Sequence, residues 1–453
     1  MKKHRLLSFS TTHIILFSFF IAILVGTVLL SLPISSANGK PTPILDALFT
    51  ATTSTCVTGL VVVPTVAVWS VFGQAVILVL IQIGGLGVIT IMSGIMMLFH
   101  KKMGIGERLL LQDAFNLNSL SGLVNFVKKV VAGTFIVEGI GALLYMIVFI
   151  PEFGARGIWI SIFTSVSAFC NAGIDIIAEN SLCNYALNPI INIVTCALII
   201  LGGLGYIVWW DVLRVVRSGA IKKGHFWCHL TLHSKIAIIT SAILIFGGGL
   251  LILICEFNNP ATIGEMSFLD KIQVSLFQSV TTRTAGFASV PQENLRDTTS
   301  IISMAMMLVG GSPVGTAGGL KTVTIAVLLC SAFATIRNKS EATLFGRRIS
   351  SDSIRRAVAV VVTFGCIALV STTLLAAATG ANLLDVVYES VSAIATVGLS
   401  RGFTGSLGAW GKLIVIVTMY LGRVGPISLA VALGSQNESQ NVISEPEEDI
   451  SIG

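Results

Sequence analysis

The chain has 453 residues, a length that would suit about three soluble domains. However, 54% of it is hydrophobic and only 11% charged, against roughly 25% charged in ordinary globular proteins. That balance excludes a water-soluble enzyme. The net charge of +6 lies mostly in clusters between apolar runs, so the clusters read as topology signals and nucleic-acid binding is not expected. Apolar runs near the ~20 residues needed to cross a bilayer recur throughout, and the expectation is an all-α polytopic membrane protein. The first run, 14–32, follows Lys2, Lys3 and Arg5. It is too long for a signal-peptide core and no clear cleavage site follows it, so it reads as a retained span.

In chain order, one succession occurs four times: a full span, a half-length apolar segment, a short motif closed by glycine, and a second full span. The first unit has 14–32, 44–55, Cys56-Val57-Thr58-Gly59 and 68–99. The second has 124–150, 158–169, Cys170-Asn171-Ala172-Gly173 and 190–216. The third has 234–255, 268–281, Arg283-Thr284-Ala285-Gly286 and 300–336. The fourth has 356–379, 383–395, Thr396-Val397-Gly398 and 407–433. The closing glycines are 114, 113 and 112 residues apart, and so regular a period marks a repeated unit. Cut at the basic linkers, the units occupy 1–100, 101–222, 223–340 and 341–435, and a polar, acidic tail runs over 436–453.

A segment of 10–14 apolar residues is too short to cross and reads as re-entrant. Each unit then starts and ends on the same side. Nineteen of the 28 Lys and Arg lie in the N-terminus or in 101–129, 214–235 and 337–356, which places those segments in the cytoplasm. All four units therefore point the same way, and a pseudo-fourfold axis along the membrane normal is the expected closure; inverted repeats would alternate. Asp46, Asp270 and Asp385 stand near the starts of three half-length segments, where acids suit a helix N-terminus; the second has only Gly157 there. The eight cysteines (56, 170, 183, 196, 228, 255, 330 and 366) form no C-x-x-C pair and read as small apolar residues.

A desolvated cation needs oxygen ligands, and apolar helices offer none. Four extended segments whose carbonyls face an axis supply rings of four oxygens, favouring a monovalent cation, and glycine lets a segment aim its carbonyls without a Cβ clash. The bland reading, glycine as a close-packing residue, explains one motif but not four at one period. A second glycine series lies in the second spans: Gly84-Gly85-Leu86-Gly87, Gly202-Gly203-Leu204-Gly205, Gly310-Gly311 and Gly422-Arg423-Val424-Gly425-Pro426. In units one and two it reads as close packing. In unit three the run Gly310-Gly311-Ser312-Pro313-Val314-Gly315-Thr316-Ala317-Gly318-Gly319, ending at Leu320-Lys321, must break the helix, given about 1 kcal/mol per Gly and 3 per Pro, and a flexible loop at that depth reads as a gate. It is not a phosphate-binding loop, since Leu320 stands where that motif needs glycine before the lysine.

Arg423 and Lys321 are intramembrane charges and hence functional candidates. Arg423 reads as a pore barrier or as the partner of Glu389 or Glu138, with a packing ion pair as the plain alternative for both cations. Arg283 reads as pointing away from the axis, and Asp175 and Glu179 read as solvated loop acids rather than cation collectors.

These motifs, with the terminal Pro446-Glu447-Glu448-Asp449-Ile450-Ser451-Ile452-Gly453, resemble the ion-conducting subunits of bacterial Ktr potassium-uptake systems, in the Trk/Ktr/HKT superfamily. The resemblance covers essentially the whole chain. It implies a K+ filter closed by Gly59, Gly173, Gly286 and Gly398, an intramembrane gating loop at 310–320, and Arg423 lining the pore beneath the filter. It implies a multi-pass protein of the bacterial cytoplasmic membrane, with both termini cytoplasmic. It also implies a homodimer on a cytoplasmic ring of RCK-type regulatory subunits that bind nucleotide, with Na+ as an activator left open and no covalent cofactor. A first span about ten residues in favours the Ktr branch over Trk. Two departures stand out: Cys56 where threonine is usual, and Asp449 where a basic or neutral residue is commoner. A secondary transporter of an organic solute, built on broken helices at the midplane, is the competing reading. No H-E-x-x-H, G-x-S-x-G or paired intramembrane carboxylates support an enzyme.

Overall fold

The computed structural model describes residues 11–87, 90–91, 93, 123–219 and 226–425. Expectations for 94–122, for Pro426 and for the tail 436–453 lie outside the described residues. Within them the chain is mostly helical, with one two-stranded hairpin, β1 (Thr343–Leu344) and β2 (Arg347–Arg348).

Among the described residues four helices are each long and apolar enough to cross a membrane: α1 (Thr11–Ser31), α4 (Leu123–Phe153), α8 (Leu232–Glu256) and α12 (Ser351–Thr379). Their outer faces carry exposed Phe17, Val28, Ile136, Leu143, Phe246, Ile254, Val362 and Leu369, an apolar belt suited to lipid. Each is followed by a short helix: α2 (Ile44–Thr55), α5 (Arg156–Cys170), α9 (Phe268–Thr281) and α13 (Leu383–Ala395). At 1.5 Å per residue, 12 to 15 residues reach only about 20 Å of the ~30 Å hydrocarbon core. Their C-terminal halves are mostly buried, from Thr52 to Thr55 and from Ser390 to Ala395 for example.

The third helix of each set departs from the expectation of a full second span. α3 (Val71–Leu86), α6 (Pro189–Leu204), α10 (Asp297–Leu308) and α14 (Ala409–Val424) hold only 12 to 16 residues. Gly87, Gly205 and Gly425 stop three of them with nearly the same backbone, φ 83°, 84° and 89° with ψ 136°, 143° and 142°. These angles lie outside the helical region and are readily available only to glycine. After Gly205 the chain turns by 96° into α7 (Tyr206–Arg217). In the third set Pro313 occupies the corresponding position, and a loop runs from Val309 to Lys321 before α11 (Thr322–Ile336). The break foreseen for the third unit therefore has a counterpart after Gly205, and Gly87 and Gly425 end their helices in the same conformation.

The helices pack in a closed order. α3 packs on α5, α6 on α9, α10 on α13, and α14 returns to α2. Lys412 Nζ meets Asp46 Oδ1 at 2.6 Å and Arg401 Nε meets Asp385 Oδ1 at 2.8 Å. These pairs pin the N-terminal turns of α2 and α13.

Candidate functional site

Each short helix delivers its C-terminus, with the partial negative charge of the helix dipole, to one glycine motif. The chain then alternates. Val57 (φ 55°), Asn171 (61°), Thr284 (64°) and Thr396 (51°) are left-handed, and so are Gly59 (95°), Gly173 (65°), Gly286 (82°) and Gly398 (94°). The residues between them, Thr58, Ala172, Ala285 and Val397, are not. Alternation of this kind turns successive carbonyls to one side, whereas a regular strand points them to opposite sides.

The four motifs touch in cyclic order. A Cβ built on Gly59 would stand 2.4 Å from the carbonyl oxygen of Ala172; on Gly173, 2.5 Å from that of Ala285; on Gly286, 2.5 Å from that of Val397; and on Gly398, 2.2 Å from that of Thr58. All four glycines line one outward-opening cavity of about 370 Å³. Asp175, Glu179 and Glu293 also line it, with no Lys or Arg among the lining residues, and Glu179 is exposed, as expected of a solvated loop acid.

Hydroxyls brace the motifs from behind. Gly59 N–H donates to Thr53 Oγ1 and Gly398 N–H to Ser392 Oγ, both at 3.0 Å. Ser167 Oγ donates to the Ile174 carbonyl at 2.5 Å and Thr281 Oγ1 to the Phe287 carbonyl at 2.6 Å. Thr53, Ser167 and Ser392 escaped the sequence reading, although each stands six residues before its glycine. By contrast, Thr58 Oγ1, both side-chain polar atoms of Asn171, Thr284 Oγ1 and Thr396 Oγ1 are buried with no hydrogen-bond partner among the described residues. Such atoms are costly to bury unless a ligand meets them, and oxygen donors of this kind suit a cation.

The register places Val57, not Cys56, level with Asn171, Thr284 and Thr396. Cys56 corresponds to Cys170, Arg283 and Ala395, all behind the first left-handed residue. Cys170 Sγ lies 3.8 Å from Glu138 Oε1 and 3.7 Å from Gln82 Oε1. Arg283 reaches back to Ser241 Oγ on α8 at 2.9 Å, as expected of a bracing residue.

Beneath the motifs lies the loop from Val309 to Lys321. A Cβ on Gly318 would fall 1.9 Å from Thr396 Oγ1, and one on Gly310 would meet the Thr284 side chain at 3.1 Å. Ser312, Thr316 and Ala317 are fully or almost fully buried. The loop is tied to the break after α6: Ser312 N–H donates to the Gly203 carbonyl at 2.7 Å, Thr316 N–H to that of Gly202 at 3.1 Å, and Tyr206 N–H to that of Val314 at 2.9 Å. Thr316 Oγ1 donates to the Phe169 carbonyl at 3.0 Å. Lys321 Nζ donates to the Ala317 carbonyl at 2.7 Å.

Arg423 donates to the Thr316 carbonyl at 2.7 Å and to the Gly84 carbonyl. The expected pairing with Glu389 or Glu138 is not found. Glu389 accepts from Ser400 and Thr404, and Glu138 accepts from Gln82. The close packing expected of the second glycine series in units one and two is seen at Gly84 and Gly202, where a Cβ would lie 2.0 Å from the carbonyl oxygens of Thr55 and Phe169, and Gly422 of unit four stands equally close to that of Ile394.

A family model described as a cation transport protein, TrkH, matches residues 2–444. The chain belongs to the TrkH family. It is a membrane cation transporter, not an enzyme. It is 38% identical over 459 residues to the potassium/sodium uptake protein NtpJ of Enterococcus hirae, covering 100% of this chain and 99% of that one. It is 37% identical over 446 residues to the Ktr system potassium uptake protein B of Bacillus subtilis, covering 98% and 97%. The potassium transporter TrkH of Vibrio parahaemolyticus shares the fold, with a TM-score of 0.72 over 96% of this chain and 87% of that one, at 16% identity.

Proposed function

We propose that this TrkH-family chain carries K+ across the bacterial cytoplasmic membrane through a central, gated pore. The observation that carries this reading is the cyclic contact of four glycine-closed motifs, at the C-termini of four short helices, around one acid-lined mouth. In this reading the units 1–100, 101–222, 223–340 and 341–435 stand about a pseudo-fourfold axis with both termini cytoplasmic. K+ is held by backbone carbonyls of Cys56 to Gly59, Cys170 to Gly173, Arg283 to Gly286 and Thr396 to Gly398, replacing its hydration shell. The unpartnered Asn171, Thr284 and Thr396 side chains add oxygens on the inner side, and Val57 leaves that ring one short.

The loop at 310–320 is the gate in this reading, with Arg423 as its latch. The guanidinium places fixed positive charge below the filter and holds Thr316, so opening requires those bonds to break or move. The relatives' names support potassium as the permeant ion, and the potassium/sodium name of the Enterococcus hirae relative supports testing Na+ as activator or cargo. The Ktr system relatives support work with partner proteins, and the partners proposed are a second copy of this chain and an RCK-type nucleotide-binding ring.

Expression in a bacterium lacking its own K+ uptake, on low K+ with and without Na+, tests the reading. Growth restored by this chain and lost on disrupting the motifs is the expected result. Growth that stays absent, with the protein present in the membrane, overturns it.

A further inference from the structure

Away from the motifs, a second cavity of about 470 Å³ opens between α8 and α11. Its inner wall is apolar, formed by Ile236, Ile239, Leu329 and Phe333. Leu329 and Phe333 are 54% and 60% exposed, so the wall continues onto the lipid-facing belt. The cavity lies at the first turns of α8 and the last turns of α11, level with the basic segment that begins at Arg337. The β1–β2 hairpin roofs it through Thr343, Leu344 and Phe345. Phe345 and Gly346 turn the hairpin at φ 49° and 73°, the two positive φ values of a tight two-residue turn.

Arg337, Lys339 and Glu341 stand at the rim. Glu341 is occupied by Arg348, at 2.8 Å. Arg337 and Lys339 are exposed, and their side chains have no hydrogen bond or ion pair among the described residues. An apolar slot continuous with lipid, ending at two uncompensated cations, matches an amphiphile with an anionic head. Basic pockets between membrane helices on the cytoplasmic side bind such headgroups.

We propose that this cavity is a binding site for an anionic phospholipid, with an acyl chain between α8 and α11 and its phosphate held by Arg337 and Lys339. The leaflet assignment rests on the orientation proposed above; the lipid class rests on the cavity alone. A soluble protein docked here would leave the apolar wall facing lipid and gain only the rim.

Native mass spectrometry of the purified full-length chain, from mixed phosphatidylglycerol and phosphatidylcholine, tests the site. Wild type is expected to retain phosphatidylglycerol selectively. Arg337→Gln with Lys339→Gln should cut that preference by roughly tenfold or more, from about one surface-charge contribution per residue. Leu329→Trp should lose the lipid by filling the slot while both cations remain. All three positions are exposed, and an unchanged melting temperature checks that the variants fold. No preference in wild type, or retention equal to wild type in both variants, overturns the proposal. So does a double variant that keeps its lipid but loses a co-purifying regulatory subunit. Lipid retention is read without ion flux, so its failure leaves the pore reading standing.

Discussion

Gly59 combines two constraints that no other residue type meets. Its φ of 95° is strained for any side chain, and a Cβ would overlap the Ala172 carbonyl oxygen at 2.4 Å. Strain of ~1–3 kcal/mol at such a position must move one carbonyl of the proposed ring. Gly59→Ser is therefore expected to reduce the preference for K+ over Na+ by about tenfold, the equivalent of 1.4 kcal/mol, in ion flux from proteoliposomes. Unchanged selectivity would remove Gly59 from the filter. At the mouth, burial pushes the Asp175 carboxyl up to about 6, partly offset by hydrogen bonds from Ser181 and from the Ile177 and Ala178 amides. Above that value the group is charged and attracts cations; below it the mouth loses one negative charge. Uptake at low K+ should therefore fall from about pH 7.5 to about pH 5, and Asp175→Asn should flatten the profile at the lower value. A profile identical in wild type and variant would show that another group titrates.

At the scale of elements, glycine pairs each long apolar segment with a break. Gly87, Gly205 and Gly425 share one conformation, whereas Pro313, which cannot adopt φ > 0, stands in the third unit. That substitution coincides with the extended loop, whose backbone bonds reach Gly202, Gly203 and Tyr206 of the second unit as well as Leu308 at the end of its own helix. Each such bond contributes ~0.5–1.5 kcal/mol and the Arg423 contact ~1.5–3. Shortening residues 311–318 should release them and raise K+ flux about tenfold without any regulatory subunit. A fall in flux with folding intact would mean the loop is not the obstruction.

For the whole molecule, closure depends on joining the fourth unit to the first. α14 packs on α2, and Lys412 meets Asp46 across 366 residues of chain. Both side chains are less than one-fifth exposed, so solvent screens the pair less than a surface ion pair. A double-mutant cycle of Lys412→Met and Asp46→Asn is expected to give a coupling of about 1 kcal/mol in thermal unfolding. Additive effects would show that the pair contributes no closure energy.

Much of this organisation was legible in the residues. Membrane-spanning character followed from apolar runs and sparse charge, because hydrocarbon tolerates little else. The period of the closing glycines exposed the four motifs, because each unit needs the same backbone freedom at the same place. The third-unit loop showed itself because no helix absorbs five glycines and a proline between Gly310 and Gly319. What tertiary structure alone decided depends on neighbours distant in the chain. That Val57, Asn171, Thr284 and Thr396, each two residues before its closing glycine, turn left-handed depends on where each short helix ends. The bracing by Thr53, Ser167 and Ser392 looked like ordinary helix composition until the motifs folded back on them. Arg423 carried no mark of its partners, since two backbone carbonyls from other units have no side-chain signature to read.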